Sequence, residues 1–482
     1  MKDSNATVRV RFAPAPTGMM HLGNVRAAVI NYLFARQKNG AFVLRIEDTD
    51  AERNYDPHAE NIIADLQWLG LMYDEGPGVG GNYGPYFQSQ RFELYTEALH
   101  VLQEKKACYR CFCDVDMLEK KRIRMQAAGA PPRYDRTCLM LSDDIIEQHI
   151  KNKIPFIWRF KLDSTKTVTV NDLAHGLKSF ELSNFSDFPL TRSDGSFTFI
   201  FANFVDDMHM NITHIFRGED HLTNSACQAS LFDIFNLQRP VYLHMPILCN
   251  IDGKKLSKRD FGFSLRDLKD AGFLPEAIVN YLAIIGGSFE QEIMSIDQLI
   301  KTVSFVNMHT TGHMKYDVEK LKWINKKWLH ACDSQAFVKL AKPFLLQAFP
   351  SAIQYSESMI NDLLVSVQMD VHTLSDVIDI FRFYFEYRMP TADVLRAILS
   401  STEFVLFKKS FIEYKIFLSS PEKFMHEMKH VLNKIIEPKK WFAFMRCLLT
   451  GATDGMSVTQ LLNLLGEKES ELRIVQCLNL LD

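Results

Sequence analysis

Nothing in this 482-residue chain limits its fold as tightly as the stretch Arg11-Phe-Ala-Pro-Ala-Pro-Thr-Gly-Met-Met-His-Leu-Gly-Asn-Val-Arg26. Ahead of it, Val8, Val10 and Phe12 alternate with Thr7, Arg9 and Arg11, the period of a strand. Pro14, Pro16 and Gly18 break that run into a loop. After Gly23 the apolar spacing turns helical through Val25, Ala28 and Val29, Tyr32 and Leu33, and Ala35. A strand, a kinked loop and a helix opening on His-x-Gly make a turn whose free N–H groups and positive dipole end suit a phosphate. Gly23 permits close approach of ligand or backbone, and His21 can add a donor where phosphate charge develops. The Gly-Lys-Ser/Thr of a Walker loop is absent, as are the three fixed glycines of a dinucleotide fingerprint. Taken alone, His-Leu-Gly-Asn would serve equally in a plain strand-to-helix connection.

The chain is too long for one core, so two to four domains are expected. A net charge of −3 rules out a whole-protein basic field, and any nucleic-acid contact must come from local patches. The start, Met1 to Thr7, is polar and lacks the apolar core of a signal peptide. No apolar run approaches a bilayer span, and no membrane association is expected. Nine cysteines, an odd number in so long a chain, do not read as a disulfide framework. A cytoplasmic monomer is the expectation.

Residues 1–90 alternate strand and helix, with Phe42–Ile46 a buried strand and Pro57–Leu69 a helix, the start of a parallel α/β sheet. Residues 91–196 change character. A helix over Tyr95–Lys105 leads into a Cys-rich and then Lys/Arg-rich segment, followed by strand-like Phe156–Lys161. Over 197–250 the α/β pattern returns through Phe199–Val205, Ile212–Phe216 and a helix at Leu222–Phe235, so the sheet is expected to be split by an inserted domain. Residues 251–330 begin with the turn signal Asp252-Gly253 and the run Lys255-Leu-Ser-Lys-Arg259. From about residue 260 the pattern is almost wholly helical. Pro390, Pro421 and Pro438 punctuate its last part, giving helical bundles over 331–400 and 401–482.

The wording Phe12-Ala-Pro-Ala-Pro-Thr-Gly18 followed by His21-Leu-Gly23 resembles the signature of bacterial-type glutamyl-tRNA synthetases, class I enzymes whose hallmark is His-Ile-Gly-His. Leu44-Arg-Ile-Glu-Asp-Thr-Asp50, Asp74-Glu-Gly-Pro77, Gly84-Pro-Tyr-Phe-Gln-Ser-Gln-Arg91 and Phe216-Arg-Gly-Glu-Asp-His221 extend the resemblance. Lys255-Leu-Ser-Lys-Arg259 is similar to the second class I hallmark, and the match runs to about Asn325. The resemblance implies a Rossmann-like catalytic sheet split by an acceptor-stem-binding insertion and followed by a stem-contact region and helical anticodon-binding bundles. It implies glutamate activation by ATP with Mg2+, then transfer to the 3′-terminal adenosine of tRNA(Glu), alone or together with tRNA(Gln). Neither step needs a protein nucleophile, so catalysis should be positioning plus charge stabilisation on a pentacovalent phosphate.

Carried over residue by residue, the resemblance makes His21, Lys255 and Lys258 catalytic. ATP would be held by Gly18, His21, Gly23, Asn24, Lys255, Ser257, Lys258 and Arg259, with Asn24 standing where the hallmark ends in histidine. Glutamate would be held by Arg11, Ala13, Ala15, Glu47, Phe199, Asn203 and Arg217. Two carboxylates and an ammonium call for cations and an acceptor, and guanidinium meets carboxylate bidentately at any working pH. Ala15 stands where the family usually has Ser, and Phe199 where Tyr is usual. Each removes a hydroxyl, and a hydrogen bond to a charged group is worth about 1.5–3 kcal/mol. Weaker glutamate affinity is implied, or water filling the gap.

Cys111, Cys113 and Cys138 match zinc ligands of some family members, and Met140 stands at the usual fourth position, where a thioether is a poor donor. Cys108 could substitute, Tyr134 lies in the same region, and buried reduced thiols are the alternative to zinc. Lys105-Lys106 and Lys120-Lys-Arg-Ile-Arg124 make the insertion locally basic, fitting a tRNA acceptor end or simply a solvated helix face. Lys326-Lys327, Lys408-Lys409 and Lys439-Lys440 offer cations farther on, while Phe381, Phe383 and Tyr384, at helical spacing, read mainly as core. About 150 helical residues after Asn325 argue against the truncated relative that glutamylates a modified base. A glutaminyl enzyme should depart from Ala-Pro-Thr-Gly and end in β-barrels. A catalytically impaired tRNA-binding paralogue is the remaining alternative, raised by Ala15 and Phe199.

Overall fold

The computed structural model describes residues 7–49, 54–306 and 314–481. Met1 to Ala6 and Asp50, the last residue of the Leu44–Asp50 stretch, lie outside the described residues. The chain divides into two compact units, Met1–Lys269 with Leu274–Ile324, and Asp270–Phe273 with Asn325–Asp482.

In the first unit, β1 (Arg9–Phe12) passes through α1 (Leu22–Gln37) to β2 (Ala41–Leu44), which pairs with it in parallel. Gly40 closes this crossover: a Cβ there would collide with the Val8 carbonyl, so only glycine fits. Next come α2 (Glu60–Trp68), α3 (Phe92–Glu104), β3 (Cys108–Cys111), α4 (Val115–Ala127), α5 (Asp143–Lys151) and β4 (Ile157–Phe160), antiparallel to β3. The hairpin β5 (Thr167–Asp172) and β6 (Gly176–Glu181) precedes α6 (Phe199–His209), β7 (His214–Gly218), α7 (Leu222–Ile234) and β8 (Val241–Met245). These strands form a sheet in the order β6-β5-β8-β7, with β8 parallel to both β7 and β5. Thus β5 and β6, from the stretch expected to be inserted, share a sheet with β7 and β8. The Arg9 carbonyl accepts from the Thr213 N–H at 3.0 Å, and the Arg9 N–H donates to Thr213 Oγ1 at 2.8 Å, which sets β1 beside β7. The parallel strands therefore end together at Phe12, Leu44, Gly218 and Met245, the edge where open α/β sheets bind ligands.

Helix α1 is buried on nearly all sides, Leu22, Val25, Val29, Leu33 and Phe34 among its buried residues. Its apolar period is accordingly weak. The run Phe199–Val205 opens α6, and its Phe201, Phe204 and Val205 join Phe160, Leu190, Phe232 and Tyr242 in one core. After β9 (Leu248–Cys249), the helices α8 (Leu265–Asp270), α9 (Pro275–Ile284) and α10 (Ile296–Thr302) precede β10 (Met314–Lys315), which pairs with β9. Helix α11 follows at Val318–Ala331.

The second unit is helical throughout its described residues: α12 (Ser334–Ala348), α13 (Glu357–Val367), α14 (Asp376–Phe385), α15 (Ala392–Ile398), α16 (Ser401–Tyr414), α17 (Pro421–Leu432), α18 (Pro438–Thr450) and α19 (Val458–Asn479). Pro421 and Pro438 each occupy a first helical position, where a missing N–H costs nothing. Trp441, Phe407, Phe424 and Phe444 fill a core in this unit, and Phe381 and Phe383 are buried, as their spacing predicts. No described helix is long and apolar enough to cross a membrane.

Candidate active site

His21 caps α1. Its Nδ1 accepts the Asn24 N–H at 3.2 Å, and its own carbonyl accepts the same N–H at 2.9 Å. That bond fixes the tautomer, because a ring whose Nδ1 accepts carries its proton on Nε2. Burial, helped by the nearby Lys255 ammonium, lowers the His21 pKa, so the imidazole is neutral and Nε2–H is a donor. The Asn24 amide expected to face a phosphate is engaged in this turn instead. Leu22 N–H donates to the Phe263 carbonyl at 2.9 Å, tying the turn to the segment that follows the lysine loop.

A cleft of ≈ 290 Å³ opens beside this turn at the strand ends. It is lined by Arg11, Ala13, His21, Gly23, Asn24, Glu47, Phe199, Asn203, Arg217 and Lys255, together with Arg26, Asp220 and His221. Beneath it lies a buried ion network. Arg11 Nε and Nη2 donate to the Asp207 carboxylate at 3.1 and 3.4 Å, and Arg45 Nη1 donates to Asp207 Oδ1 at 2.7 Å. Arg45 Nη2 reaches Asn203 Oδ1 at 2.8 Å and Glu47 Oε1 at 3.4 Å. Arg91 Nε and Gln88 Nε2 hold Asp206 at 2.6 and 2.7 Å. Arg11, Arg45 and Arg91 are thus paired with Glu47, Asp206 and Asp207, whereas Arg217 and Arg26, both buried on the cleft, have no carboxylate partner among the described residues. Burial raises the Glu47 pKa against the pull of Arg45 and Arg11, leaving a carboxylate that an added cation would stabilise.

Among the residues of this cleft, several buried donors have no protein partner: Arg217 Nε and Nη1, Asn203 Nδ2 and Arg26 Nε. A buried donor left unpaired costs about 1–3 kcal/mol, so the arrangement is built for an acceptor that the protein does not supply. Arg217 is anchored through Nη2 alone, to Ser225 Oγ at 2.7 Å and Gln228 Oε1 at 2.8 Å, and burial lowers its pKa to about 10. It stays charged without touching a carboxylate.

An adjoining cavity of ≈ 790 Å³ is lined by Ala15, Gly18, Tyr55, Lys258 and Asp267, and shares Ala13, Pro14, His21 and Asn24 with the first. The loop carrying the lysines is shaped from within. Asp260 accepts the Ser257 N–H and hydroxyl at 2.8 and 2.9 Å, and Asn250 Oδ1 accepts the Asp252 and Lys254 N–H groups. Lys255 and Lys258 remain exposed at its edge, as does Arg259.

The structure therefore gathers Arg11, Ala13, Glu47, Phe199, Asn203 and Arg217 around one cleft and places Ala15 on its neighbour. Phe199 stacks on His221, with ring centroids 5.4 Å apart. Ser257 and Arg259 line neither cavity; Ser257 is bonded to Asp260 within the loop. Asp206 and Asp207 carry no motif signal in the sequence, and Arg45, although inside the Leu44–Asp50 wording, is given no role there. A lone arginine in the buried Phe42–Ile46 run and paired aspartates in the apolar Phe199–Met208 run were the available clues.

Elsewhere in this unit, Cys111, Cys113 and Cys138 bring their sulfurs within 4.8 Å of one another. Tyr134 OH lies 3.3 Å from Cys111 Sγ and 3.8 Å from Cys113 Sγ, and Cys113 and Cys138 sulfurs are 3.5 Å apart. Three thiols at these separations fit three of the four donors of a tetrahedral zinc ion, with the Tyr134 phenol beside them. Cys108 does not join them. It stands three residues from Cys111 on β3, an odd spacing that puts the two on opposite faces, and it packs against the core.

The family profile described as tRNA synthetases class I (E and Q), catalytic domain, matches residues 7–323, and that of an anticodon binding domain matches 336–478. The chain is 35% identical over 483 residues to the glutamate–tRNA ligase of Carboxydothermus hydrogenoformans, covering 98% of this chain and 100% of that one. It is 40% identical over 385 residues to the glutamate–tRNA ligase of Moorella thermoacetica, 78% of each chain. Among solved structures it is similar to a glutamate tRNA ligase from Elizabethkingia meningosepticum in complex with its amino acid. There the TM-score is 0.84 at 29% identity, covering 99% of this chain and 100% of the other.

Proposed function

The chain belongs to the class I tRNA synthetases of the E and Q type, and on that footing we infer that it is a glutamate–tRNA ligase. A carboxylate oxygen of glutamate attacks the α-phosphorus of ATP, whose bond to pyrophosphate breaks. The 2′-hydroxyl of the terminal adenosine then takes the acyl group and AMP leaves. Mg2+ arrives with ATP as part of the substrate. The unpartnered donors of Arg217 and Asn203, in a cleft whose Arg217 and Arg26 have no carboxylate partner among the described residues, carry this reading. An acidic amino acid supplies the acceptors, and Glu47 supplies one for its ammonium. Arg11, held by Asp207, adds positive potential.

Both cavities meet at His21, where carboxylate and α-phosphate must approach each other. Nε2–H of His21 stabilises charge developing on that phosphate, and Lys255 and Lys258 follow the leaving pyrophosphate. Helix α4, none of whose residues is buried, presents Lys120–Arg124 to the acceptor end. Residues 331–400 and 401–482 serve as the anticodon-binding bundles, and the enzyme acts as a cytoplasmic monomer. Ala15 lies on the neighbouring cavity, so its missing hydroxyl leaves the set of Arg11, Glu47, Asn203 and Arg217 whole. Phe199 does line the cleft, so one hydroxyl is missing there, but the charged set that would hold glutamate is all present and the impaired paralogue is not favoured. Acylation of purified tRNA(Glu) and tRNA(Gln) with labelled glutamate tests the reading. Charging of tRNA(Glu) alone marks a discriminating enzyme, charging of both a non-discriminating one, and charging of neither refutes the assignment.

His21→Asn retains an N-cap residue and hence the helix start. It should lower kcat for tRNA-dependent pyrophosphate exchange by about 10²–10³-fold. Because His21 is already neutral, the wild-type rate should show no loss of this group as pH rises through 6.5; such a loss would mean that imidazolium is the working form. The thiol cluster should take up one Zn2+ per chain, measured by metal analysis after dialysis. Burial and the neighbouring thiols push the Cys113 pKa up to about 12, so uptake must release protons and affinity should rise with pH. Tyr134→Phe should weaken that affinity, and unaltered binding would remove Tyr134 from the ligand set.

A further inference from the structure

Behind Arg217 runs a buried file of groups that neither chemical step uses. Ser225 Oγ, which accepts from Arg217 Nη2, lies 2.7 Å from His244 Nε2, and His244 Nδ1 lies 2.6 Å from Asp172 Oδ2. Asp172 is fixed by backbone: Oδ1 accepts the Ala174 and His175 N–H groups at 2.9 Å each, and Oδ2 accepts the His244 N–H at 3.0 Å. Ser225 and His244 are 0% exposed and Asp172 1%. Arg217 sits on β7, Ser225 on α7, His244 on β8 and Asp172 on β5, so the file crosses the sheet from strand to strand. The Tyr242 ring stacks flat on His244 and lies 5.7 Å from the Arg217 guanidinium carbon, closing the side.

Asp, His and Ser in this order would suit a nucleophile if the serine met solvent. It does not. Its oxygen accepts from Arg217, and its one O–H has two acceptors in reach, His244 Nε2 at 2.7 Å and, longer, the His221 carbonyl at 3.2 Å. The proton directions point to another use. Asp172 takes the proton on Nδ1, which leaves a lone pair on Nε2 to accept the Ser225 O–H. Ser225 Oγ then turns its own lone pairs to the guanidinium. Burial lowers the His244 pKa and keeps this neutral arrangement in place. Every group touching Nη2 is uncharged, so the file orients Arg217 without neutralising it, whereas Arg11 is paired directly with Asp207.

We propose that Asp172, His244 and Ser225 are positioning residues that hold the Arg217 guanidinium toward the cleft and thereby set the affinity for glutamate. The proposal rests on the reading of Arg217 as a glutamate ligand. Asparagine in place of His244 can mimic Nδ1 and keep the bond to Asp172, but it loses the acceptor for Ser225. Glutamine reaches the position of Nε2 and keeps that acceptor. In tRNA-dependent pyrophosphate exchange, His244→Asn and Ser225→Ala should each raise the glutamate KM about tenfold or more. Their kcat and ATP KM should stay within about threefold of wild type, and His244→Gln should restore the glutamate KM to within about threefold. Equal effects of His244→Asn and His244→Gln, or a loss falling on kcat or the ATP KM, would overturn the proposal. Should the His244 variants fail to fold, Ser225→Ala decides alone by the same split between glutamate KM and kcat. Arg217→Ala runs alongside: an unchanged glutamate KM there refutes the cleft reading itself, while a raised one beside silent His244→Asn and Ser225→Ala refutes only the positioning file.

Discussion

Arg217→Ala should raise the glutamate KM of tRNA-dependent pyrophosphate exchange by about 10²–10³-fold, from the loss of one or two charge-assisted hydrogen bonds worth about 1.5–3 kcal/mol each. The ATP KM should stay near wild type, because Arg217 lines the cleft of the acidic groups and not the adjoining cavity. The size of the effect follows from what the arginine lacks. Arg11 and Arg45 are already paired with Asp207, whereas Arg217 has Nε and Nη1 with no protein partner. Arg217→Lys should recover little of the loss. An ammonium keeps the charge but cannot span Ser225, Gln228 and a ligand at once. A glutamate KM within threefold of wild type in Arg217→Ala would show that the unpaired donors serve some other acceptor.

The same comparison shows what the sequence could disclose. His21, Glu47, Arg217 and Lys255 lie in wordings long enough to be specific, and each one lines the cleft. Asp206 and Asp207 lie in no such wording. Their partners Arg11, Arg45 and Arg91 stand more than a hundred residues away, and the pairing exists only once α6 is laid against β1 and β2. Ser225, His244 and Asp172 were hidden for the same reason, one on a helix and two on separate strands. Local period marked no helix at Phe199–Val205, because an element buried on several sides has no polar face to mark its repeat, although α1, equally buried, was legible from its apolar spacing. An element exposed on all sides has no apolar stripe either: α4, read only as a basic run, has no buried residue at all. Cys108 shows the converse, since proximity in sequence suggested a ligand that strand alternation turns away.

Asp207→Asn should destabilise the first unit by about 3 kcal/mol, the low end for breaking a buried ion pair. Arg11 loses its carboxylate partner, while Arg45 keeps Asp206 at 3.6 Å and Glu47 at 3.4 Å. Because a chain of two units need not unfold in one step, hydrogen exchange at α6 and β1 amides is the suitable measurement. The pH dependence has a definite sign. Arg11 and Arg45 hold the Asp207 pKa below its ordinary value against the opposing effect of burial. A carboxylate with a depressed folded pKa contributes stability above its unfolded pKa of about 3.9 and loses it as pH falls through the folded value. Glu47, raised by burial, works in the opposite direction, its contribution fading as pH rises through its folded pKa. The gap between wild type and Asp207→Asn should therefore be full near neutrality and shrink only below about pH 4. Asn cannot titrate, and Glu47 titrates in both proteins, its pKa raised a little further in wild type by the Asp207 charge. A gap that persisted unchanged into acid, or that closed at pH 6, would mean that Asp207 is not the counter-charge anchoring the two arginines beneath the cleft.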